Sequence, residues 1–301
     1  MQPKDKKTWK QVDGVLLLDK PLGMTSNDAL QKARRLFSAA KGGHTGTLDP
    51  LATGLLPLCF GEATKFSADL LDADKTYEAV LKLGVTTDSG DAEGAVVATA
   101  EVNVDAAQIA AALRQFAGDI QQIPPMHSAL KRDGRPLYEL ARQGIEVERE
   151  ARAVTIHAIE CLAFSGDALT LRVACSKGTY IRVLAADIGQ VLGCGAHLAA
   201  LRRTVVGDLT LDKAVTLAEL GAIDEADRGA RLLPVDALLQ SLPMVTLLGA
   251  EANRFKHGNP VALPAGMTGK IRVYAEDQLI GVGEPGHGGL LWPKRLVQLA
   301  S

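Results

Sequence analysis

The sequence predicts an α+β fold, with a large domain on a mixed or antiparallel sheet and a small β-barrel after it. Residues 76–83 alternate, with Tyr77, Ala79, Leu81 and Leu83 on one face and Thr76, Glu78 and Lys82 on the other, the period of a half-buried strand. Strands and helices nevertheless follow one another too irregularly for a doubly wound parallel sheet. Beyond Pro243, glycines and prolines separate short apolar runs such as KIRVYA and LIGVG, which is the pattern of a small barrel.

Taken in order, residues 1–11 carry Lys4, Lys6, Lys7 and Lys10 and read as a disordered basic tail. Val12 to Asp19 form a buried strand that ends at the turn signal DKPLGMTS. Leu30, Ala33, Leu36 and Phe37 recur at helical spacing behind the candidate caps Ser26 and Asn27, which predicts a helix over 27–37 with Lys32, Arg34 and Arg35 on its outer side. Leu55 to Phe60 read as a core strand and Ala63 to Leu71 as a helix. The acidic TTDSGDAEG is a hairpin loop, because the twelfth position from Asp88 is Thr99 and not the glutamate a calcium loop needs. Asp105 caps a helix that carries Ile109, Leu113 and Phe116.

From Gln122 to Arg152 the rhythm breaks. This stretch holds Pro124, Pro125 and Pro136, glycines at 134 and 144, and six basic residues nearly balanced by Asp133, Glu139, Glu146, Glu148 and Glu150, so it has little core of its own. A short helix from Pro136 to Gly144 fits the preference for proline first and glycine last. Val154 to Cys175 give two strands around SGD, and Ile181, Leu184, Ala185, Ile188, Val191 and Leu192 mark an amphipathic helix. The run HLAALRRTVVG has a helical look, and 217–242 suggests two helices and a linker. The expected organisation is a tail over 1–11, a large domain over 12–243 with an insertion at about 122–152, and a small domain over 244–301.

With 301 residues and 47% hydrophobic content the chain can bury a sizeable core. A net charge of −2 argues against a generally sticky polyanion binder, so any nucleic-acid surface must be local. The charge is polarised: residues 1–41 hold nine Lys or Arg against four acids and 172–203 hold five against one, whereas 69–105 hold two against nine. That suits one face steering a polyanion. Cys59, Cys161, Cys175 and Cys194 are widely spaced in apolar surroundings and read as reduced core cysteines of a cytoplasmic protein. No apolar run reaches transmembrane length, so no membrane partner is expected.

The segment from Gly42 to Pro57, GGHTGTLDPLATGLLP, holds one carboxylate, Asp49. Pro50 disfavours a helical Asp49, and the glycines at 42, 43, 46 and 54 permit conformations and approaches that a side chain would block. A lone Asp before Pro is by itself a turn former. The whole string GHTGTLDPLATG, however, resembles the catalytic motif of the bacterial tRNA pseudouridine-55 synthases, the TruB-type family. GVLLLDKPLGMTS, KGTYIR, HLAALRRTVVG and FKHGNPV resemble further motifs of that family. The likeness is strong over 14–66, 122–142 and 176–207 and weak after 208.

The resemblance implies a pseudouridine-synthase catalytic domain, a thumb-like insertion that closes over an RNA hairpin, and a C-terminal PUA-like RNA-binding barrel. It implies isomerisation of the T-loop uridine of tRNA to pseudouridine, with the T-arm stem-loop as partner, no cofactor or metal, no protein partner, and a monomer. Asp49 aligns with the catalytic carboxylate and Arg182 with the arginine that keeps it ionised. A unit-charge pair near 4 Å attracts by about 4 kcal/mol at an effective dielectric of 20, much of it offset by desolvation, so such a pair orients more than it stabilises. Tyr77 aligns with the residue that stacks on the target base and helps accept the C5 proton. Tyr180 aligns with a substrate contact and Leu201 with an apolar pocket wall. His44 aligns with the residue that fills the place of the extruded base, and Lys20 is placed to meet a phosphate or the active-site carboxylate. Without the motifs, Tyr77 and Leu201 are core residues and His44 a structural histidine. All these groups precede Asp208, so the C-terminal domain is expected to be separable from the chemistry.

Other readings find less support. Gly281, Gly283 and Gly286 spell G-x-G-x-x-G, but too little chain follows for a βαβ unit. A retaining glycosidase needs a second carboxylate near the first, and the loop around Asp49 has none. An RNA chaperone that refolds tRNA, with incidental catalysis, leaves the set Asp49, Tyr77 and Arg182 unexplained.

Overall fold

A computed structural model describes residues 8–128, 130–132 and 134–298. Lys4, Lys6 and Lys7 of the expected tail and Asp133 of the insertion lie outside the described residues. In chain order the elements are β1 (Gly14–Lys20), α1 (Ser26–Leu36), β2 (Gly42–His44), β3 (Ala52–Phe60), α2 (Ser67–Leu71), β4 (Lys75–Leu83), β5 (Val85–Thr87), β6 (Val96–Thr99), α3 (Ala106–Arg114) and β7 (Gly118–Gln122). The insertion contributes β8 (Lys131–Arg132), β9 (Arg135–Pro136) and α4 (Leu137–Arg142). There follow β10 (Arg152–Ser165), β11 (Ala168–Cys175), α5 (Ile181–Val191), β12 (Ala196–Val206), β13 (Leu209–Thr210), β14 (Val215–Thr216) and α6 (Leu217–Ala222). The last stretch holds β15 (Met244–Leu247), α7 (Gly249–Lys256), β16 (Val261–Ala262), β17 (Ile271–Ala275), β18 (Gln278–Gly286) and β19 (Leu290–Leu296).

The main sheet runs β14-β1-β3-β12-β4-β11-β10-β7, with β13 on β12 and β2 on β3. It is mixed: β1 with β14 and β12 with β3 are parallel, and the other pairs are antiparallel. Helices α3 and α5 bury Ile109, Leu113, Ile181, Leu184 and Ile188 against the inner residues of β4 and β11. Helix α1 buries Ala29, Leu30 and Ala33 against Leu56, Leu58 and Phe60 of β3. Tyr77 and Leu201 pack against both clusters, so the middle of the sheet is where the two cores meet.

Several local expectations are corrected. The run from His197 to Val206 lies in strand β12, not a helix, because pairing with β3 and β4 on either side overrides its helical propensity. The cap of α1 is Thr25, whose hydroxyl accepts the Asp28 N–H at 3.1 Å, while Ser26 lies inside the helix. Residues 61–66 form a 3₁₀ turn ahead of the short α2. Of the two helices expected over 217–242 only α6 is an α-helix, followed by 3₁₀ turns at Arg228–Arg231 and Val235–Leu238. Cys161 is exposed on β10, unlike the three buried cysteines.

The C-terminal sheet, ordered β15-β17-β18-β19-β16, is open, its edge strands unpaired with each other among the described residues. It is a half-barrel, in keeping with the small PUA-like barrel expected there. Its glycine motif serves packing: a Cβ at Gly281 would lie 2.4 Å from the Arg295 carbonyl, one at Gly283 2.8 Å from Leu291, and one at Gly286 2.3 Å from Trp292. Leu279, Val282 and Val297 share a buried cluster with Val235, Leu238 and Leu239. Lys65 donates to the Leu296 carbonyl at 2.9 Å, and Glu62 accepts the Gln298 N–H at 2.8 Å. Residues 244–298 thus have a sheet and a buried cluster of their own, centred on Phe255, Ile271, Val273 and Leu291, and share a second cluster with the larger sheet.

Strand β12 can enter beside β3 because position 54 is glycine. Gly54 has φ +98°, and a Cβ there would lie 2.3 Å from the Arg203 carbonyl oxygen. Gly54→Ala is expected to destabilise the protein by about 3 kcal/mol or more, the combined cost of left-handed strain and backbone overlap. Thermal or urea unfolding measures this directly, and an unchanged midpoint would show that β12 can shift aside.

Candidate active site

Asp49 lies between β2 and β3, and the chain before it is fixed from helix α1. The Ser26 hydroxyl, free because Thr25 caps the helix, accepts the Leu48 N–H at 2.8 Å and donates to the Leu48 carbonyl at 3.0 Å. On the other side, the Pro50 carbonyl accepts the Gly23 N–H at 2.9 Å and the Asp49 carbonyl accepts the Ala52 N–H at 3.0 Å. The turn of DKPLGMTS and the Asp49 loop are thereby stitched into one piece, with the aspartate held at both neighbours. Its carboxylate is 52% exposed.

Arg182 comes from the first turn of α5, whose N-cap is Tyr180. The guanidinium is 11% exposed and has three partners. Its Nη2 meets Asp49 Oδ2 at 3.1 Å and donates to the His127 carbonyl at 2.7 Å, while Nη1 meets Asp91 Oδ2 at 3.1 Å. Asp91 is 5% exposed, and its other oxygen accepts from the Ser89 hydroxyl at 2.6 Å and the Glu93 N–H at 3.1 Å. A carboxylate so buried is tolerable because both of its oxygens have partners, one of them a cation. Sequence reading passed over Asp91, taking its segment as a plain hairpin loop. The available signal was the spacing Ser89, Asp91, Glu93, which supports a side chain bonding its own turn. The hairpin is pinned to β12 by the Leu198 N–H to Gly90 carbonyl bond at 3.0 Å.

Tyr77 is half-buried on β4, directly opposite Arg203 of β12. Arg203 is 1% exposed; its Nε donates to the Leu55 carbonyl at 2.8 Å and its Nη2 to the Gly46 carbonyl at 3.1 Å. Burial pushes the Tyr77 phenol up, and the neighbouring Arg203 charge opposes it. Leu201, Tyr77 and Leu51 are partly buried and pack against the same core cluster. Tyr180 is half-buried beside Arg182, its backbone held by Gln122.

His44 lies on β2 with its Nδ1 buried and unpartnered among the described residues. Burial and then the Arg203 charge lower its pKa, which keeps the ring neutral and suited to stacking. Lys20 is fully buried and donates to the carbonyls of Pro21 at 3.0 Å and Met24 at 2.6 Å. It therefore braces the DKP turn and does not reach outward to a phosphate. Burial pushes its ammonium down to about 8, against the opposing attraction of Asp49. The structure thus joins Asp49 and Arg182 directly, groups Tyr77 with Leu201, and sets Lys20 within the field of Asp49.

The frame of the site is a mixed sheet that shares a buried cluster with a half-barrel, and a loop carboxylate paired with a buried helix arginine. The N-terminal domain of the TruB family pseudouridylate synthases matches residues 34–181, the tRNA pseudouridylate synthase B C-terminal domain matches 182–240, and the pseudouridine synthase II TruB C-terminal region matches 243–297. The chain is 83% identical to tRNA pseudouridine synthase B of Dechloromonas aromatica (strain RCB) across 98% of its own length and 99% of the relative's. It is 59% identical to the protein of the same name from Aromatoleum aromaticum, across 95% and 93% of the two chains. Among solved structures it is similar to a chain of a Cbf5-Nop10-Gar1 complex, with TM-score 0.71 and 27% identity over 94% of this chain and 84% of that one. A chain of an H/ACA RNP bound to a substrate RNA containing 2'-deoxyuridine gives TM-score 0.73 at 25% identity, over 95% and 85%. The chain belongs to the TruB family of pseudouridine synthases.

Proposed function

We propose that this chain isomerises uridine-55 in the T-loop of tRNA to pseudouridine, with Asp49 as the catalytic carboxylate. The reaction breaks the bond between C1′ and N1, turns the base, and rejoins it through C5; the proton lost from C5 balances the one gained at N1. No redox step and no external group is needed. Attack at C1′ and abstraction of a sugar proton both require an ionised carboxylate, and the observation that carries this reading is the chain of charges Asp49, Arg182, Asp91, in which a buried cation faces one enclosed carboxylate and one open to solvent. The open one is where a flipped nucleotide can arrive.

In this reading Tyr77 and Leu201 wall the base, and Tyr77 helps to accept the C5 proton. Tyr180 contacts the substrate, His44 takes the place of the extruded base, and Lys20 supports the turn beside Asp49. Residues 122–152 and the region from 244 to 301 grip the RNA. The chain acts as a cytoplasmic monomer, since one copy supplies every group named; among the described residues no helix is long and apolar enough to cross a membrane.

Tritium release from C5-labelled uridine in a tRNA transcript tests the reading. One tritium per transcript is expected, falling to none when uridine-55 is replaced by cytidine. Undiminished release from the replaced transcript would assign the activity to another uridine.

A further inference from the structure

The insertion between β7 and β10 is fastened at its neck. Gln122, the last residue of β7, pairs with Arg152 at the start of β10, and Arg149 Nη1 donates to the Pro124 carbonyl at 3.1 Å. Leu137 and Leu140 of α4 are buried, so the insertion has more core than its composition suggested. Two contacts lead from it toward Arg182. The Gln122 carboxamide is buried, 2% exposed, and makes a two-way pair with the backbone of Tyr180: Oε1 accepts the Tyr180 N–H at 2.9 Å and Nε2 donates to the Tyr180 carbonyl at 3.3 Å. Tyr180 is the N-cap of α5, two residues before Arg182. Five residues beyond Gln122, the His127 carbonyl takes the same Nη2 that faces Asp49.

A buried amide that satisfies both backbone groups of one residue behaves as an extra rung of sheet, and it fixes where α5 begins. Arg182 Nη2 divides its hydrogens between a carbonyl of the insertion and the carboxylate of Asp49. The seat of the insertion therefore sets the direction in which Nη2 points.

We propose that Gln122 is a positioning residue for the isomerisation: it locks the base of the insertion to the start of α5, so that the seated insertion holds Arg182 against Asp49 through the His127 carbonyl. The insertion is thus part of the catalytic centre as well as part of the grip. This rests on Asp49 and Arg182 being the catalytic pair.

Gln122→Met, which keeps the side-chain length and loses both bonds, is expected to lower the single-turnover rate on a saturating T-arm hairpin about 100-fold, the scale of a misplacement near 1 Å. Gln122→Glu, which keeps the acceptor but turns an oxygen toward the Tyr180 carbonyl, should fall between Gln122→Met and the parent. Hairpin Kd should change less than about threefold in either variant, since no RNA contact is removed. Rates equal to the parent's, or a loss confined to Kd, would overturn the inference. Asp49→Asn run alongside separates the two claims: turnover by that variant sinks the catalytic assignment itself, whereas its inactivity beside fully active Gln122 variants sinks only the role of Gln122. Should neither Gln122 variant fold, hydrogen exchange on the parent protein decides. The amides of 123–151 and of Tyr180 are expected to slow together when the hairpin binds, with β4 slow throughout. Protection of the insertion with no change at Tyr180, or no change in either, would show that the two are uncoupled.

Discussion

Asp49→Asn is expected to reduce turnover by about 10³-fold or more, the scale on which loss of an essential charged group acts, while leaving fold and RNA affinity in place. The substitution keeps the shape of the side chain and removes only its charge. Because Asp49 is half exposed, the change should cost less than about 0.5 kcal/mol of stability. Arg182 keeps two partners, Asp91 Oδ2 and the His127 carbonyl, so the centre does not collapse when the charge is lost. Tritium release, hairpin binding and a thermal melt on the same preparation read the three quantities separately. Activity above a small fraction of the parent's would falsify the assignment of Asp49, and a matching loss of affinity would recast it as a binding residue.

The parts legible in the sequence were those with a strong period or a long motif. Alternation gave β4 and with it the face on which Tyr77 lies, and the spacing of Ile181, Leu184 and Ile188 gave α5. The resemblance of the 42–57 segment and of KGTYIR brought Asp49 and Arg182 together before any geometry was available. What stayed hidden depends on contacts between distant segments. Ser26 looked like a cap because serine favours that position, but Thr25 takes the role and the Ser26 hydroxyl grips Leu48, twenty-two residues away. Asp91 looked like loop charge because nothing local marks it as facing Arg182. HLAALRRTVVG reads as a helix until β3 and β4 flank it. The composition of the C-terminal region predicts a small domain of short strands but carries no sign of the cluster that Leu279, Val282 and Val297 share with Val235 and Leu238.

Arg182→Lys tests the geometry at the centre of the site, because it retains the charge and changes only its shape. The guanidinium reaches Asp91 with Nη1 and serves both Asp49 and the His127 carbonyl with Nη2, at 3.1, 3.1 and 2.7 Å. A planar fork can satisfy these directions at once, whereas an ammonium on a shorter stem is a point charge that must choose among them. The deeper carboxylate should win the lysine: Asp91 is 5% exposed and cannot be left unpaired without a large desolvation cost, while Asp49 is 52% exposed and can turn to water. The variant should therefore fold and bind the hairpin normally yet lose activity by about 100-fold or more, as expected when a reacting group is displaced by an ångström. Asp91→Asn is the informative companion. It leaves the arginine fork whole and keeps one acceptor for Nη1, so its loss should be smaller, about tenfold, the scale on which one charge-assisted bond differs from a neutral one. Single-turnover rates on the two variants give the order directly. If Arg182→Lys matched the parent, the fork would be irrelevant and Arg182 would act as a simple counter-charge; if Asp91→Asn proved the more damaging, the buried carboxylate, and not the guanidinium shape, would be what holds Asp49 in place.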